Sequence, residues 1–237
     1  MLGEDYDRIA QSMTQGIGFF LPCFKGSSEE GLRLIMDRQL SPSVLGRSAY
    51  CERKLANEAR IGCRQIVVFA SGYDTFAIRN GNAALSVYEL DLPKMLADKK
   101  LRIENSWLTS QAIYVPCDLF DASWKDSLIN SGYRCDQKSF GNMLGISYYL
   151  SKDEFRNLLT VWSGITCEGS AICFDYQSRE ESRETATNQA LAQGAGEQMK
   201  AQYDAQEMED LLEECGFLAY EHLDYVEMTA QYFSDYN

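Results

Sequence analysis

Four acidic side chains and one glycine fall where strand ends would gather them. The run Ile66-Val-Val-Phe-Ala70-Ser-Gly72-Tyr-Asp74 reads as a buried strand that enters a glycine turn, with an acid two residues on. A second strand pattern, Val87-Tyr-Glu89-Leu-Asp91, closes on two carboxylates, and a third, Ile113-Tyr-Val-Pro-Cys-Asp118-Leu119, on another. In an open α/β sheet, ligands bind in the crevice outside the carboxyl ends of the strands. Carboxylates placed there suit ribose hydroxyls, an exocyclic amine and a positive charge, and they repel a pyrophosphate. That preference points to S-adenosylmethionine. The dinucleotide fingerprint Gly-x-Gly-x-x-Gly keeps only one of its three glycines, at Gly72.

Each residue carries a competing structural reading. Gly72 lets the backbone turn sharply and a ligand approach, while Asp74 either neighbours the ligand's positive charge or caps the short helix that follows. Glu89 and Asp91 share a strand face. Either could take ribose hydroxyls, leaving the other to cap the helix that begins at Pro93. Asp118 could accept from the adenine amine with Leu119 against the ring, or cap a helix near residue 122. The 8 cysteines are scattered without Cys-x-x-Cys, and His222 is the single histidine, so zinc-ligand spacing is missing and no metal is expected. The thiols read as structural, and His222 as a packed or exposed residue.

The elements that must position these groups alternate. Strand patterns at 65–70, 85–90, 112–117, 140–146 and 169–176 are separated by helical stretches from 75, over Pro93–Asn105, 122–131 and 151–163. This order predicts an α/β fold, a mostly parallel sheet between two helical layers. Helical spacing also marks 29–40, ended by Ser41-Pro42, and a second lead-in helix from Arg47 to Gly62. Residues 178–198 are polar and read as a flexible loop or lid. A helix at about 205–215, stopped by Gly216, and two closely spaced strands near 217–222 and 225–233 complete the chain. The whole of 1–237 is read as one domain: a helical cover at 1–45, a cofactor-binding core at 46–177, the lid, and a C-terminal helix and β-hairpin over 199–237.

A net charge of −13 disfavours a nucleic-acid partner, which needs a basic face. No apolar run is long enough to span a bilayer, and the acidic start is unlike a signal peptide, so a cytoplasmic protein is expected. The Gly16–Phe24 run reads as a helix end packed on the core.

Several motifs resemble, in order, the leucine carboxyl methyltransferase family: Arg47-Ser-x-Tyr50, the Arg64–Arg79 run, Tyr88-Glu-Leu-Asp-Leu-Pro93, Tyr114-Val-Pro-Cys-Asp-Leu119 and Gly145–Glu154. The resemblance implies a Rossmann-like class I methyltransferase fold, a seven-stranded sheet with an antiparallel last strand and helices on both faces. It also implies that Arg47 binds the cofactor's carboxylate, where a bidentate guanidinium contact would favour arginine over lysine. Gly72 would lie under the methionine part, Asp91 on the ribose, and Asp118 with Leu119 at the adenine. Two departures stand out. The family's Gly-Ala-Gly turn is Ala70-Ser71-Gly72, and the acid that usually meets the cofactor's amino group is replaced by Leu144.

The expected activity is an O-methyltransferase acting on a carboxylate of a small molecule or peptide. A carboxylate is already ionised and needs alignment and removal from water more than a base. Tyr148 and Tyr149, past the fourth strand, are substrate-pocket candidates. A phenol or hydroxyl O-methyltransferase and a non-catalytic interaction module are the rival expectations.

Overall fold

All five residues of β1, Gln65–Phe69, are buried. A strand buried on both faces needs a helical layer on each side. A computed structural model describes residues 41–179 and 198–234, and within them β1 is the middle strand of a five-stranded sheet of order β3-β2-β1-β4-β5. Every pair is parallel. The other strands are β2 (Ser86–Asp91), β3 (Ile113–Pro116), β4 (Ser139–Met143) and β5 (Ala171–Phe174). The helices are α1 (Ser41–Arg60), α2 (Phe76–Arg79), α3 (Pro93–Glu104), α4 (Trp124–Asn130), α5 (Lys152–Ile165), α6 (Ala205–Glu214) and α7 (Tyr225–Tyr232).

The period-two alternation sorts β1 between two cores. Ile66 and Val68 pack with Cys51 and Leu55 of α1, Ala77 of α2 and Phe140. Val67 and Phe69 face α4, α5 and α6 through Trp124, Phe155, Trp162 and Leu211. Phe69 meets Trp124 and Trp162 edge to face, with centroids 5.6 and 5.2 Å away. Helix α5 has a complete capping box between Ser151 and Glu154, and Gly216, with φ +86°, follows α6 as expected of a left-handed stop.

The C-terminal hairpin and the seven-stranded sheet do not appear among the described residues. Residues 217–224 form no regular element, and α7 replaces the second hairpin strand. Asp224 and Glu227 close a capping box, a helix-start signal that outweighs the strand-like Tyr-Val content after it. Helix α7 lies against α1 where Gly46 leaves room: a Cβ there would stand 3.1 Å from Phe233 and 3.4 Å from Met228. Helix α1, expected from Arg47 after a stop at Ser41-Pro42, is already helical at Ser41, since proline is tolerated in a first turn. The predicted helix 29–40, the Gly16–Phe24 run, the rest of the N-terminal cover up to residue 40 and nearly all of the 178–198 loop lie outside the described residues. Among the described residues, no helix is long and apolar enough to cross a membrane.

One ion pair sits inside the fold. Glu89 on β2 and Lys99 on α3 are both fully buried, with Nζ 2.5 Å from Oε2. Burial raises the Glu89 carboxyl to about 7, although Lys99 pulls it down. A carboxyl raised by folding contributes stability that is full below its unfolded value and is lost as pH climbs through the folded one. Removing the ammonium raises it further. Lys99→Met should therefore cost about 3–5 kcal/mol at pH 8, where Glu89 must stay charged without a partner or take up a proton against the pH, and much less at pH 5, where Glu89 already holds its proton. Urea midpoints at the two pH values test this; equal losses at both would show that the charge is not the cause.

Candidate functional site

The strand order reverses between β1 and β4, and the carboxyl ends of these strands open the crevice of the sheet. The turn after β1 is shaped by two left-handed residues, Ala70 at φ +47° and Gly72 at φ +46°. Ala70 is the one non-glycine residue with positive φ among the described residues, so it holds a conformation that glycine adopts more cheaply. Ser71 donates its N–H to Leu90 at 3.0 Å, anchoring the turn to β2. The Ser71 hydroxyl is buried and has no hydrogen-bond partner among the described residues.

Asp91 ends β2 and holds this turn. Its Oδ2 accepts from Gly72 N–H and its Oδ1 from Leu92 N–H, both at 2.7 Å. Two carboxylate oxygens offer about four acceptor sites, so Asp91 can still take ribose hydroxyls. Glu89 is different: it shares the face of Asp91 but is sealed against Lys99, away from the crevice. Neither acid caps α3, because Leu92 is the N-cap without a side-chain bond and Pro93 needs no acceptor. Asp74 accepts from Phe76 N–H at 2.7 Å at the start of α2. Asp118 is exposed at the end of β3 and accepts from Phe120 N–H at 2.9 Å. It does not cap α4, whose start is set by Asp121 and Ser123. Leu119 is half-buried against the core beside it.

On the other side of β1, the side chain of Leu144 joins the apolar cluster under α1. Arg47 reaches across from α1. Its Nη1 lies 2.7 Å from Asp175 Oδ2 and 3.0 Å from the Tyr148 hydroxyl. Burial works against the Arg47 charge, yet Asp175 and Tyr148 more than offset this and hold its pKa above the usual value. Asp175 Oδ1 accepts from Gly145 N–H at 2.6 Å. A Cβ on Gly145, whose φ is +78°, would stand 2.7 Å from Arg47 Nη2, so a side chain there would push the guanidinium from its place.

Beyond this group opens a cavity of about 460 Å³ lined by Gly145, Ile146, Tyr149, Gln198 and Lys200. The rings of Tyr148 and Tyr149 meet edge to face at 4.8 Å. Lys200 donates its backbone N–H to Tyr148 at 2.7 Å, and its ammonium lies 3.3 Å from Glu154 and 5.7 Å from the Phe120 ring. A groove of about 500 Å³ between α1 and α2 lies away from this edge, and its Arg79 is already paired with Glu52. His222 stacks on Tyr176 in an exposed setting, with Nε2 2.9 Å from the Tyr176 hydroxyl.

Asp175 and Lys200 escaped sequence reasoning. Asp175 does carry the signal used for the other acids, a carboxylate just past a strand end, whereas Lys200 follows the polar 178–198 stretch with no pattern to mark it.

The geometry agrees with the sequence match, because residues 8–162 fit the leucine carboxyl methyltransferase family. The chain belongs to that family. It is 32% identical over 246 aligned positions to YktD of Bacillus subtilis, a proposed S-adenosyl-L-methionine-dependent methyltransferase, covering 98% of this chain and 81% of YktD. The chain spans only about half the length of other curated relatives that it matches. Its fold is similar to that of a proposed methyltransferase from Thermobifida fusca (TM-score 0.58, 14% identity, 86% of this chain and 78% of that one). It is also similar to magnesium protoporphyrin IX methyltransferase from Synechocystis with bound SAH (TM-score 0.53, 12% identity, 90% of each chain). At these identities the structural likeness concerns the fold alone.

The two crevice acids differ in what they hold together. Asp91→Ala removes two charge-assisted backbone bonds and should cost about 3 kcal/mol or more, while Asp118→Ala, at an exposed site, should stay within about 1 kcal/mol. Thermal melts of the free protein test the contrast; equal losses would assign Asp118 a structural role.

Proposed function

We propose that this chain is an S-adenosylmethionine-dependent O-methyltransferase that methylates a carboxylate of a small molecule or peptide. The observation that carries this reading is the convergence of Arg47, Gly72, Asp91 and Asp118 on one edge of the sheet, in a chain of this family. The donor set fits the cofactor. Asp91 has spare lone pairs for ribose hydroxyls, Asp118 is free to face an amine beside Leu119, and the left-handed Gly72 leaves the turn open. Arg47 presents a guanidinium for a carboxylate. The buried Ser71 hydroxyl is a further polar atom on the turn.

When bound, S-adenosylmethionine supplies an activated methyl group on a sulfonium. The task left to the protein is to align a nucleophile with it and keep water out. The cavity at Tyr149 and Lys200 adjoins the Arg47 group, and the exposed Lys200 ammonium, 3.3 Å from Glu154, keeps further donors for an anionic substrate. A carboxylate there needs no proton removed. The Tyr148 hydroxyl is committed to Arg47, which supports a holding role for it in place of a base.

Calorimetric titration of the full chain with S-adenosylmethionine and S-adenosylhomocysteine, with NAD as control, tests the reading. Micromolar binding of the first two alone is expected, and Asp118→Ala should weaken it by about tenfold, the worth of one charge-assisted bond. If neither binds, the chain is a methyltransferase-like interaction module. Methyl transfer to phenols in preference to carboxylates would replace the substrate class and keep the cofactor.

A further inference from the structure

Leu144 offers no charge to the crevice, yet a carboxylate stands beside it. Asp175 follows β5, reaches the Gly145 turn at the end of β4 and pairs there with Arg47 from α1. Both charged side chains remain about a quarter exposed, at 22% and 24%, so each is partly desolvated and still within reach of a ligand. Each charge is also held in place. Tyr148 fixes Arg47 from one side, the absent side chain of Gly145 makes room for it, and the Gly145 amide fixes Asp175.

A fixed pair of opposite charges, neutral in sum, complements a ligand end that carries both an ammonium and a carboxylate. A single ionic ligand would leave one member of the pair uncompensated, whereas a zwitterion satisfies both. We infer that Asp175 accepts the α-ammonium of the cofactor's amino-acid end while Arg47 takes its α-carboxylate. Asp175 thus performs from β5 the task that Leu144 cannot perform from β4. This assignment rests on the cofactor proposed above.

The wild-type chain and Asp175→Asn are titrated calorimetrically with S-adenosylhomocysteine and with 5′-methylthioadenosine, which keeps the nucleoside and sulfur but lacks the amino-acid end. Asparagine can still accept from Gly145, so the turn keeps its acceptor. The variant should bind S-adenosylhomocysteine about tenfold or more weakly, the scale of a lost charge-assisted bond, and methylthioadenosine as wild type does. Equal losses on both ligands would make Asp175 a support for the Gly145 turn, and no loss on either would also overturn the assignment. A wild-type measurement needs no variant: the S-adenosylhomocysteine analogue without its amino group should bind more weakly by a similar factor, and equal binding would overturn the assignment. If wild type bound methylthioadenosine and S-adenosylhomocysteine equally, the amino-acid end would have no receptor here although the nucleoside site stood. Binding of neither would overturn the cofactor reading and this assignment together.

Discussion

The crevice depends on one interaction made twice: a carboxylate at or just past the end of one strand accepts the amide of a left-handed glycine beyond the neighbouring strand. Asp91 of β2 holds Gly72 after β1, and Asp175 after β5 holds Gly145 after β4. Parallel strands leave their last amides pointing past the sheet edge, where the ladder provides no acceptor. The two carboxylates supply acceptors from both flanks. They therefore fix the two turns that face each other across the point where the strand order reverses, and that point is where an open sheet accommodates a ligand.

This arrangement also divides the acids by task. A chain with a net charge of −13 has carboxylates in excess, and carboxylates crowded into one crevice repel one another. Burial removes one of them. Glu89 lies two residues from Asp91 on the same face, but Lys99 neutralises it inside the helical layer. Arg47 neutralises Asp175. The negative charge left at the strand ends is carried by Asp74, Asp91 and Asp118, the first two braced by backbone amides and the last exposed. Separation by depth lets neighbouring acids on one strand do unlike work.

The sheet was legible in the sequence because its signals are local. Five strand runs, the stop at Gly216 and the Pro93 start all depend on residues within a few positions of one another. The failures are mostly of another kind. Nothing in the strand pattern says that Glu89 meets a lysine of the next helix at full burial, because alternation gives the face and not the depth. Arg47 and Asp175 are 128 positions apart, so their pairing is a product of the fold. The C-terminal helix is the exception. Its capping box, Asp224 with Glu227, was readable, but the aromatic and β-branched residues beside it favoured a strand until packing on α1 decided for the helix.

The same reasoning explains why a turn that has lost a glycine still makes the crevice. Ala70 stands in the left-handed region, at a cost of about 1–2 kcal/mol for an L-residue. A carboxylate–amide bond contributes about 1.5–3 kcal/mol, and the turn has one from Asp91, besides the Ser71 amide bonded to Leu90. The magnitudes favour the turn. Its shape is imposed by the neighbouring strand, and glycine at the first position would make that shape cheaper without being what selects it. Gly145 carries a different constraint, since a side chain there would push the guanidinium of Arg47 away from Asp175. An eroded motif can thus keep its geometry where the strain is offset by hydrogen bonds, and it loses more where the added atom would also displace a paired charge.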